Sequence, residues 1–333
     1  MNKTCPLVSI IVTTYNEGKI ISKCLSRIRN QTYPQSKIEI ILVDDDSTDK
    51  TVEIAKEFNA RVVRSGFRNI ERAKSIGLEN AKGELILLLD ADVFLVPMDY
   101  IEKTVSIFLH YPRVAAAQTV RWSYSRKDHM INRYCNLFGI NNPLVMFLGK
   151  RGTLMATEKA WFDKRVVIEK GDYFEIVEFD EKNLPTLGSH GYMVRKTAIT
   201  NTSWKPFFFH LDTTLEMVKQ GMNQFALTTL AVQHDYVHSF WEYHKKAYRN
   251  IYLFFKYREY RVYDYNISRI RLLGALFLMV TLVIPLYQSF VGYVKKADLA
   301  WFLHPILCVT VPVVYFYVYV LWNIERLFKK TGV

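Results

Sequence analysis

The chain has 333 residues, enough for one large domain and an appendage. Its residues are 50% hydrophobic and 14% aromatic, which is high for a purely soluble protein. The net charge is +12, and the basic residues cluster between Val237 and Arg271, next to the most apolar part of the chain. This position favours a bilayer with anionic headgroups as a partner and argues against nucleic acid. The four cysteines form no CxxC pair, so we expect free thiols in a reducing compartment.

Strand and helix patterns alternate through the first 92 residues. Apolar runs predict strands at residues 7–13, 38–43, 61–64 and 85–92, and helical spacing predicts helices at 20–28, 52–58 and 70–81. The last of these strands is apolar at every position from 85 to 89, as expected for a strand that is buried on both faces of a parallel sheet, and it ends in two carboxylates. The alternation predicts a doubly wound, nucleotide-binding α/β fold.

Polar residues follow three of these strands, at the edge of the sheet where ligands bind in such folds. They are Asn16-Glu17-Gly18, the triple aspartate at 44–46, and Asp90-Ala91-Asp92. Strand alternation predicts that Asp90 and Asp92 lie on one side, and two converging carboxylates suit Mg²⁺ or Mn²⁺. The alternatives are a simple turn at 16–18, a solvated loop at 44–46, and Asp92 as the cap of a following helix.

Taken together, three stretches resemble the successive signatures of family 2 inverting glycosyltransferases, which have the GT-A fold. They read IVTTYNE at 11–17, VDDDSTD at 43–49 and GELILLLDAD at 83–92, and the resemblance extends over roughly residues 7–250. It implies a nucleotide-diphosphate sugar as the donor. One departure is Asp46, where the family usually has Gly or Asn; we expect Asp46 to make the turn in the left-handed region.

The resemblance also implies roles for individual residues. Thr13, Tyr15 and Glu17 are expected to line the base and ribose pocket, and Asp45 to contact the base with Asp44 beside it. Asp90 and Asp92 are expected to hold the metal on the diphosphate, with Ala91 between them in the donor site. Arg72 is expected to contact a phosphate; a solvated position on its helix is the alternative.

Further along the chain, a helix and a strand are predicted between 99 and 121, whereas residues 126–182 have no assigned role beyond acceptor specificity. Residues 186–195 resemble the family's glycine-containing strand beneath the acceptor. Gly188 and Gly191 would allow a sugar to approach the backbone there. His190 is expected to be structural or to contact the acceptor.

Two further residues are expected in the active site. Asp212 matches the family's catalytic base, although Leu211 replaces the acid that usually precedes it. An N-cap role for Asp212 is the alternative. His234 matches a family histidine near the diphosphate or the metal, and the alternative is a buried, hydrogen-bonded histidine.

The C-terminal third is predicted to meet a membrane. Residues 240–257 alternate aromatic and basic side chains, as in a helix that lies at the bilayer interface. Residues 272–290 and 300–322 are each long and apolar enough to span the bilayer. Flanking Lys and Arg predict a hairpin with both ends in the cytoplasm, and a buried soluble hairpin is the alternative. The expected domains are a GT-A catalytic domain at 1–236 (donor half 1–121, acceptor half 122–236), a basic juxtamembrane region at 237–271, and the hairpin with its tail at 272–333.

These features predict an integral membrane enzyme with a cytoplasmic catalytic domain. It would move a sugar from a nucleotide-diphosphate donor to a hydroxyl of a lipid-linked or cell-surface glycan acceptor, with Mg²⁺ or Mn²⁺. The alternative is a polyprenyl (dolichyl)-phosphate sugar synthase, whose acceptor is an ionised phosphate and needs no base. A processive synthase is less favoured because two spans are few for a pore. A non-catalytic scaffold is less favoured because Asp90, Asp92 and Asp212 are all present.

Overall fold

The computed structural model describes residues 5–159, 166–188, 190–263 and 267–330, and the side chains of Lys329 and Lys330 are not included. Ser189 and residues 160–165 of the region without an assigned role therefore lie outside the described residues, as do the side chains of the two tail lysines. The chain divides into two units, which are Met1–Ser123 with Phe162–Asp235 and Tyr124–Trp161 with Tyr236–Val333. The domain boundaries expected from the sequence stay a prediction.

The strands all lie in the first unit. They are β1 Val8–Thr14, β2 Ile38–Asp44, β3 Arg61–Arg64, β4 Leu85–Asp90, β5 Val93–Leu95, β6 Val114–Thr119, β7 Val166–Lys170, β8 Phe174–Glu178, β9 Tyr192–Arg195, β10 Gln224–Thr228 and β11 Val232–His234. Among the described residues, nine strands form one sheet in the order β3-β2-β1-β4-β9-β6-β10-β8-β7, and β11 pairs with β5. The first four strands of that sheet are parallel, whereas β9 runs antiparallel to both neighbours. This is a mixed α/β sheet, and the predicted α/β fold of the catalytic part is confirmed.

Helices alternate with the early strands and then dominate the second unit. They are α1 Ile21–Arg29, α2 Thr51–Glu57, α3 Ile70–Asn80, α4 Tyr100–His110, α5 Met130–Phe138, α6 Pro143–Phe147, α7 Lys196–Thr200, α8 His210–Lys219, α9 Phe240–Lys256, α10 Arg269–Val280, α11 Val283–Lys295 and α12 Leu303–Lys330. The helix predicted at 240–257 is thus present as α9.

The central strands explain why the polar residues meet. Every residue of β1 is buried, as is β4 up to Leu89, so these strands can only lie inside the sheet. The parallel register sets Thr13 opposite Asp90, and Thr14 opposite Asp44. The carboxyl ends of three strands therefore share one edge.

Two features of the first unit differ from the sequence prediction. β4 ends at Asp90, and Asp92 lies in the turn before β5, so Asp92 neither continues the strand nor caps a helix. The strand expected at 186–195 begins only at Tyr192. The preceding residues cannot be extended because Gly188, His190 and Gly191 have φ values of 103°, 59° and 83°.

The second unit contains the apolar C-terminal helices. The continuous span expected at 272–290 is instead two helices, α10 and α11, with a bend of 61° between them. Leu282 is left-handed at φ 64°, and Pro285 lacks the N–H that would bond to Thr281 in an unbroken helix. Within the described part of the chain, the helix Leu299–Phe328 is long and apolar enough to cross a membrane. A second span is present only if the bent pair α10 and α11 is taken together as a single span. A transmembrane hairpin is thus not established.

Candidate active site

The loops after β1 and β2 are bonded to each other. The backbone N–H of Asn16 donates to Ser47 Oγ at 2.9 Å, and Thr48 N–H donates to Asn16 Oδ1 at 2.8 Å. Asn16 and Asp46 both have positive φ, 54° and 64°, so Asp46 makes the left-handed turn expected of it. These bonds hold the two loops as one rigid edge of the first unit.

Asp45 fixes a third loop beside them. Its Oδ1 accepts hydrogen bonds from Ser65 Oγ, from Phe67 N–H at 3.1 Å and from Arg68 N–H at 2.7 Å. The Arg68 guanidinium then lies 4.6 Å from the centroid of the Tyr15 ring, which is 40% exposed. An accessible aromatic ring next to a cation is a suitable surface for a nucleotide base.

The other expected donor residues lie around this edge. Asp44 is buried and accepts from Ser47 N–H at 3.1 Å, while Glu17 N–H donates to Thr51 Oγ1 at 2.8 Å. Ala91 is buried, and its N–H donates to the Thr13 carbonyl at 3.3 Å.

Arg72 does not sit in a free solvated position. Its Nη1 donates to the Pro206 carbonyl at 3.0 Å, and its guanidinium lies 5.1 Å from the Phe67 ring centroid. The side chain is therefore tied to the loop before α8 as well as to the loop that Asp45 holds.

Asp90 is one partner of a buried ion pair. Lys74 Nζ lies 3.4 Å from Asp90 Oδ1, and Thr13 Oγ1 donates to the same oxygen at 3.0 Å. Burial is the largest influence and raises the pKa of Asp90, but the lowering influences, led by the charge of Lys74 and including the Thr13 hydrogen bond, together outweigh it, so the pKa lies below its usual range. Asp90 is accordingly an anion at neutral pH.

Asp92 belongs to a neighbouring cluster of rings. His234 Nε2 lies 3.7 Å from Asp92 Oδ1, and the His190 and His234 rings are 4.1 Å apart between centroids. Trp122 packs edge-on against both histidines, each at 5.2 Å. Burial, followed by the neighbouring His234, lowers the pKa of His190 to about 3, so its ring is neutral at physiological pH.

The residues at this edge offer two ligands to a divalent cation, fewer than a complete metal site needs. Among the described residues no group of three or more His, Cys, Asp and Glu is arranged to hold a metal. However, Asp92 Oδ1 and His234 Nε2, 3.7 Å apart, can both reach one cation at about 2.1 Å each. Such a pair leaves coordination positions open for phosphate oxygens, as is typical of Mg²⁺ at substrate sites.

The loop between β8 and β9 adjoins both the ring cluster and α8. A Cβ on Gly188 would lie 2.6 Å from the His210 side chain, and one on Gly191 would lie 2.7 Å from the Tyr100 hydroxyl. These close contacts, together with the positive φ values, give both glycines a packing reason within the protein. A role under the acceptor stays a prediction for Gly188, His190 and Gly191.

Asp212 lies in the first turn of α8. The N-cap of this helix is Phe209 and makes no side-chain capping bond, so the N-cap alternative for Asp212 is wrong. Asp212 and Leu211 are both buried, and α8 starts beside Gly188. Asp212 is thus held near the loop that carries His190, and its role as the base stays a prediction.

Sequence reasoning missed three residues at this edge. Lys74 shares a helical face with the buried residues Ala73, Gly77 and Leu78, and a lysine on a buried face is a readable signal. Arg68 and Trp122 are placed by long-range contacts, and their local sequence carries no comparable signal.

Comparison with known proteins shows matches to the part of the chain that contains most of these site residues. The family model described as Glycosyl transferase family 2 matches residues 9–200. The glycosyltransferase AglE of Haloferax volcanii is 37% identical over 98 residues, 28% of this chain and 32% of that protein. A second relative is the dolichyl N-acetyl-alpha-D-glucosaminyl phosphate 3-beta-D-2,3-diacetamido-2,3-dideoxy-beta-D-glucuronosyltransferase of Methanococcus voltae. It is 36% identical over 97 residues, 26% of this chain and 29% of that protein. The aligned part thus spans less than a third of either relative.

A solved structure extends the likeness to nearly the whole chain. The mannosyltransferase PcManGT of Pyrobaculum calidifontis, in complex with GDP-Man and Mn²⁺, aligns with a TM-score of 0.53 at 15% identity. The alignment covers 95% of this chain and 88% of that one. At this identity the likeness concerns the fold alone.

Proposed function

Because the chain belongs to glycosyl transferase family 2 and is a glycosyltransferase, we propose that it transfers a sugar, with inversion, from a nucleotide-diphosphate donor to a hydroxyl of a lipid-linked or cell-surface glycan. The observation that carries the proposal is the meeting of Lys74, Asp90, Asp92 and His234 at the carboxyl edge of the parallel strands. Carboxylates, a buried cation and an imidazole at this edge suit a metal-bound diphosphate.

In the proposed donor site, Tyr15 and Arg68 offer a stacking surface to the base, and Asp45 holds the loop that carries Arg68. Asp92 and His234 would hold Mg²⁺ or Mn²⁺, which neutralises the diphosphate and makes it a better leaving group. Asp90 keeps the Lys74 ammonium at the same edge, where it adds positive charge near the phosphates.

In the proposed acceptor site, Asp212 takes the proton from the attacking hydroxyl. A sugar hydroxyl is a poor nucleophile at neutral pH, so attack opposite the leaving group needs a base within hydrogen-bond reach. The start of α8 beside Gly188 supports this assignment, because the loop of Gly188 also carries His190, which packs on His234.

We further propose a lipid-linked acceptor and a cytoplasmic catalytic unit. The relative from Methanococcus voltae is named for a dolichyl-phosphate-linked sugar as its acceptor, which supports the first point. The apolar helices α10–α12 support contact with a bilayer, and the free thiols of Cys5, Cys24, Cys135 and Cys308 suit a reducing compartment. A polyprenyl-phosphate sugar synthase remains the second candidate, because Leu211 replaces the family's first acid before the helix.

The variant Asp212→Asn tests the proposal and separates the two candidates. It keeps the shape of the side chain but cannot take a proton, so transfer to a hydroxyl should fall by about 10²–10⁴-fold. A lipid phosphate is already anionic, and transfer to it should change little. The measurement is the transfer rate and the donor affinity with purified protein in detergent and lipid extract. Glu216→Gln on the same helix is the matched control and should retain activity. Near-normal transfer by Asp212→Asn would favour the phosphate acceptor.

A further inference from the structure

The last helix of the second unit has two different faces. Seven of its exposed large apolar residues recur every three or four positions and so share one side: Ile306, Val309, Val313, Phe316, Val320, Ile324 and Leu327. Tyr317, Tyr319 and Phe328 are exposed as well. The opposite side is buried against the rest of the unit: His304, Leu307, Cys308, Val311 and Val318. An uncovered apolar stripe of this length needs a partner.

The basic helix α9 lies along α12 in the same direction. His244 Nε2 is 2.8 Å from Thr310 Oγ1, and further along the hydroxyl of Tyr252 donates to Glu325 Oε2 at 3.0 Å. The stretch of α12 between these two contacts is about 22 Å long. On α9 the contacts run from His244 to Phe255, whose ring centroid lies 5.5 Å from that of Trp322, so the two helices are side by side over about 16 Å of α9.

This pairing is incompatible with α12 crossing a bilayer. Lys245, Arg249 and Lys256 are exposed on α9. If the span starting at Leu299 crossed the hydrocarbon core of about 30 Å, Thr310 would lie roughly at its centre. Lys245, next to the residue that bonds to Thr310, would then lie in hydrocarbon, which is unfavourable for an ammonium.

The helices before α12 must also return to the side from which they start. α10 and α11 stand between α9 and α12 in sequence, and α9 and α12 are packed together. A crossing by the bent pair would separate α9 from α12 by the bilayer. The exposed sides of α10 and α11 are nevertheless apolar: Leu273, Phe277, Val283, Tyr287, Phe290 and Val294. The bent pair therefore has the form of a re-entrant element.

We propose that the second unit is monotopic and embeds the apolar faces of α10, α11 and α12 in one leaflet without crossing it. Exposed cations near these faces, Arg269 at the start of α10 and Lys295 at the end of α11, suit anionic lipid headgroups. The occupant of the apolar stripe is thus the acyl region of an anionic leaflet. This placement replaces the hairpin and does not depend on which acceptor the enzyme uses.

Sidedness in sealed membrane vesicles tests the proposal with the full chain. Cysteines are introduced at three exposed positions, as Lys50→Cys in the first unit, Ala297→Cys after α11 and Arg326→Cys near the end of α12. A membrane-impermeant maleimide is applied before and after detergent lysis, and the parent chain gives the background of its native cysteines. All three positions should react from the same side. Ala297→Cys on the side opposite to Lys50→Cys would establish the hairpin, and Arg326→Cys alone on the opposite side would establish a single span. Either result overturns the proposal.

Flotation with lipid vesicles tests the occupant. The double variant Val313→Asp with Phe316→Asp places two charges in the stripe and should reduce binding to vesicles that contain phosphatidylglycerol at least tenfold. The matched control, Asn250→Asp on α9, adds one charge at an exposed position outside the stripe and should bind within twofold of the parent. Circular dichroism checks that the variants are folded. Unchanged binding by the double variant, or a parent chain that dimerises through the stripe and leaves the vesicles, would show that a leaflet is not the occupant.

Discussion

The buried pair of Lys74 and Asp90 offers a quantitative test of the site. The Lys74 side chain is 7% exposed and that of Asp90 is 21% exposed. Lys74→Met keeps the apolar stem and removes the charge, which leaves the Asp90 carboxylate with Thr13 but no cation. Breaking a buried pair in this way costs about 3–5 kcal/mol. Because Asp90 retains some contact with water, we expect the lower value, about 3 kcal/mol.

This loss is large enough to measure in two ways. A domain of this size shifts its melting temperature by about 2–4 °C per kcal/mol, so Lys74→Met should lower Tm by about 6–12 °C. In a double-mutant cycle with Asp90→Asn, the two changes together should cost less than their sum by about 1.5–3 kcal/mol. The assay is thermal and urea unfolding in detergent with chelator present, so that metal binding does not contribute.

The control for this prediction is an exposed lysine. Lys56 on α2 is exposed, and Lys56→Met should change the free energy of unfolding by less than about 0.5 kcal/mol. If Lys74→Met is as mild as this control, or if the double variant is simply additive, the ion pair does not stabilise the fold and the explanation for the low pKa of Asp90 is wrong.

Three further predictions concern the donor edge and its loops. Asp92→Asn should reduce transfer by orders of magnitude while the chain stays folded, and chelator should abolish wild-type turnover until Mn²⁺ or Mg²⁺ is added; full activity in chelator would exclude a required metal. Asp45→Ala removes an acceptor of three hydrogen bonds and should weaken donor affinity about tenfold or more. The affinity is measured by titration calorimetry with nucleotide diphosphates, and an unchanged value would show that the loop at 65–68 is not part of the donor site. Gly191→Ala should lower the free energy of unfolding by about 1–3 kcal/mol more than Gly221→Ala. The two glycines have nearly the same φ, 83° and 82°, but only the new Cβ at Gly191 would clash, at 2.7 Å from the Tyr100 hydroxyl, and equal losses in urea unfolding would rule out this clash.

Local patterns were sufficient for much of the fold. Apolar runs located β1, β2 and β4 within one or two residues, because a strand buried on both faces must be apolar at every position. The same reasoning indicated that the polar residues after these strands would meet, since parallel neighbours end at one edge. Helical spacing of aromatic and basic residues likewise located α9.

Tertiary contacts determined which partners these residues have. Asp90 pairs with Lys74 and Asp92 lies beside His234, two contacts that the sequence did not indicate. The expected metal role of the two aspartates stays a prediction. A short pattern specifies backbone conformation and burial, but a carboxylate's partners come from segments that are distant in the chain.

The same division holds for the membrane region. Composition alone marked residues 272–290 and 300–322 as apolar enough to span. The bend at Leu282 and the contact of His244 with Thr310 are tertiary facts, and the proposed monotopic placement rests on them. The physical reason is that hydropathy measures each segment by itself. Whether a helix can enter a bilayer also depends on the charged neighbours that it carries with it.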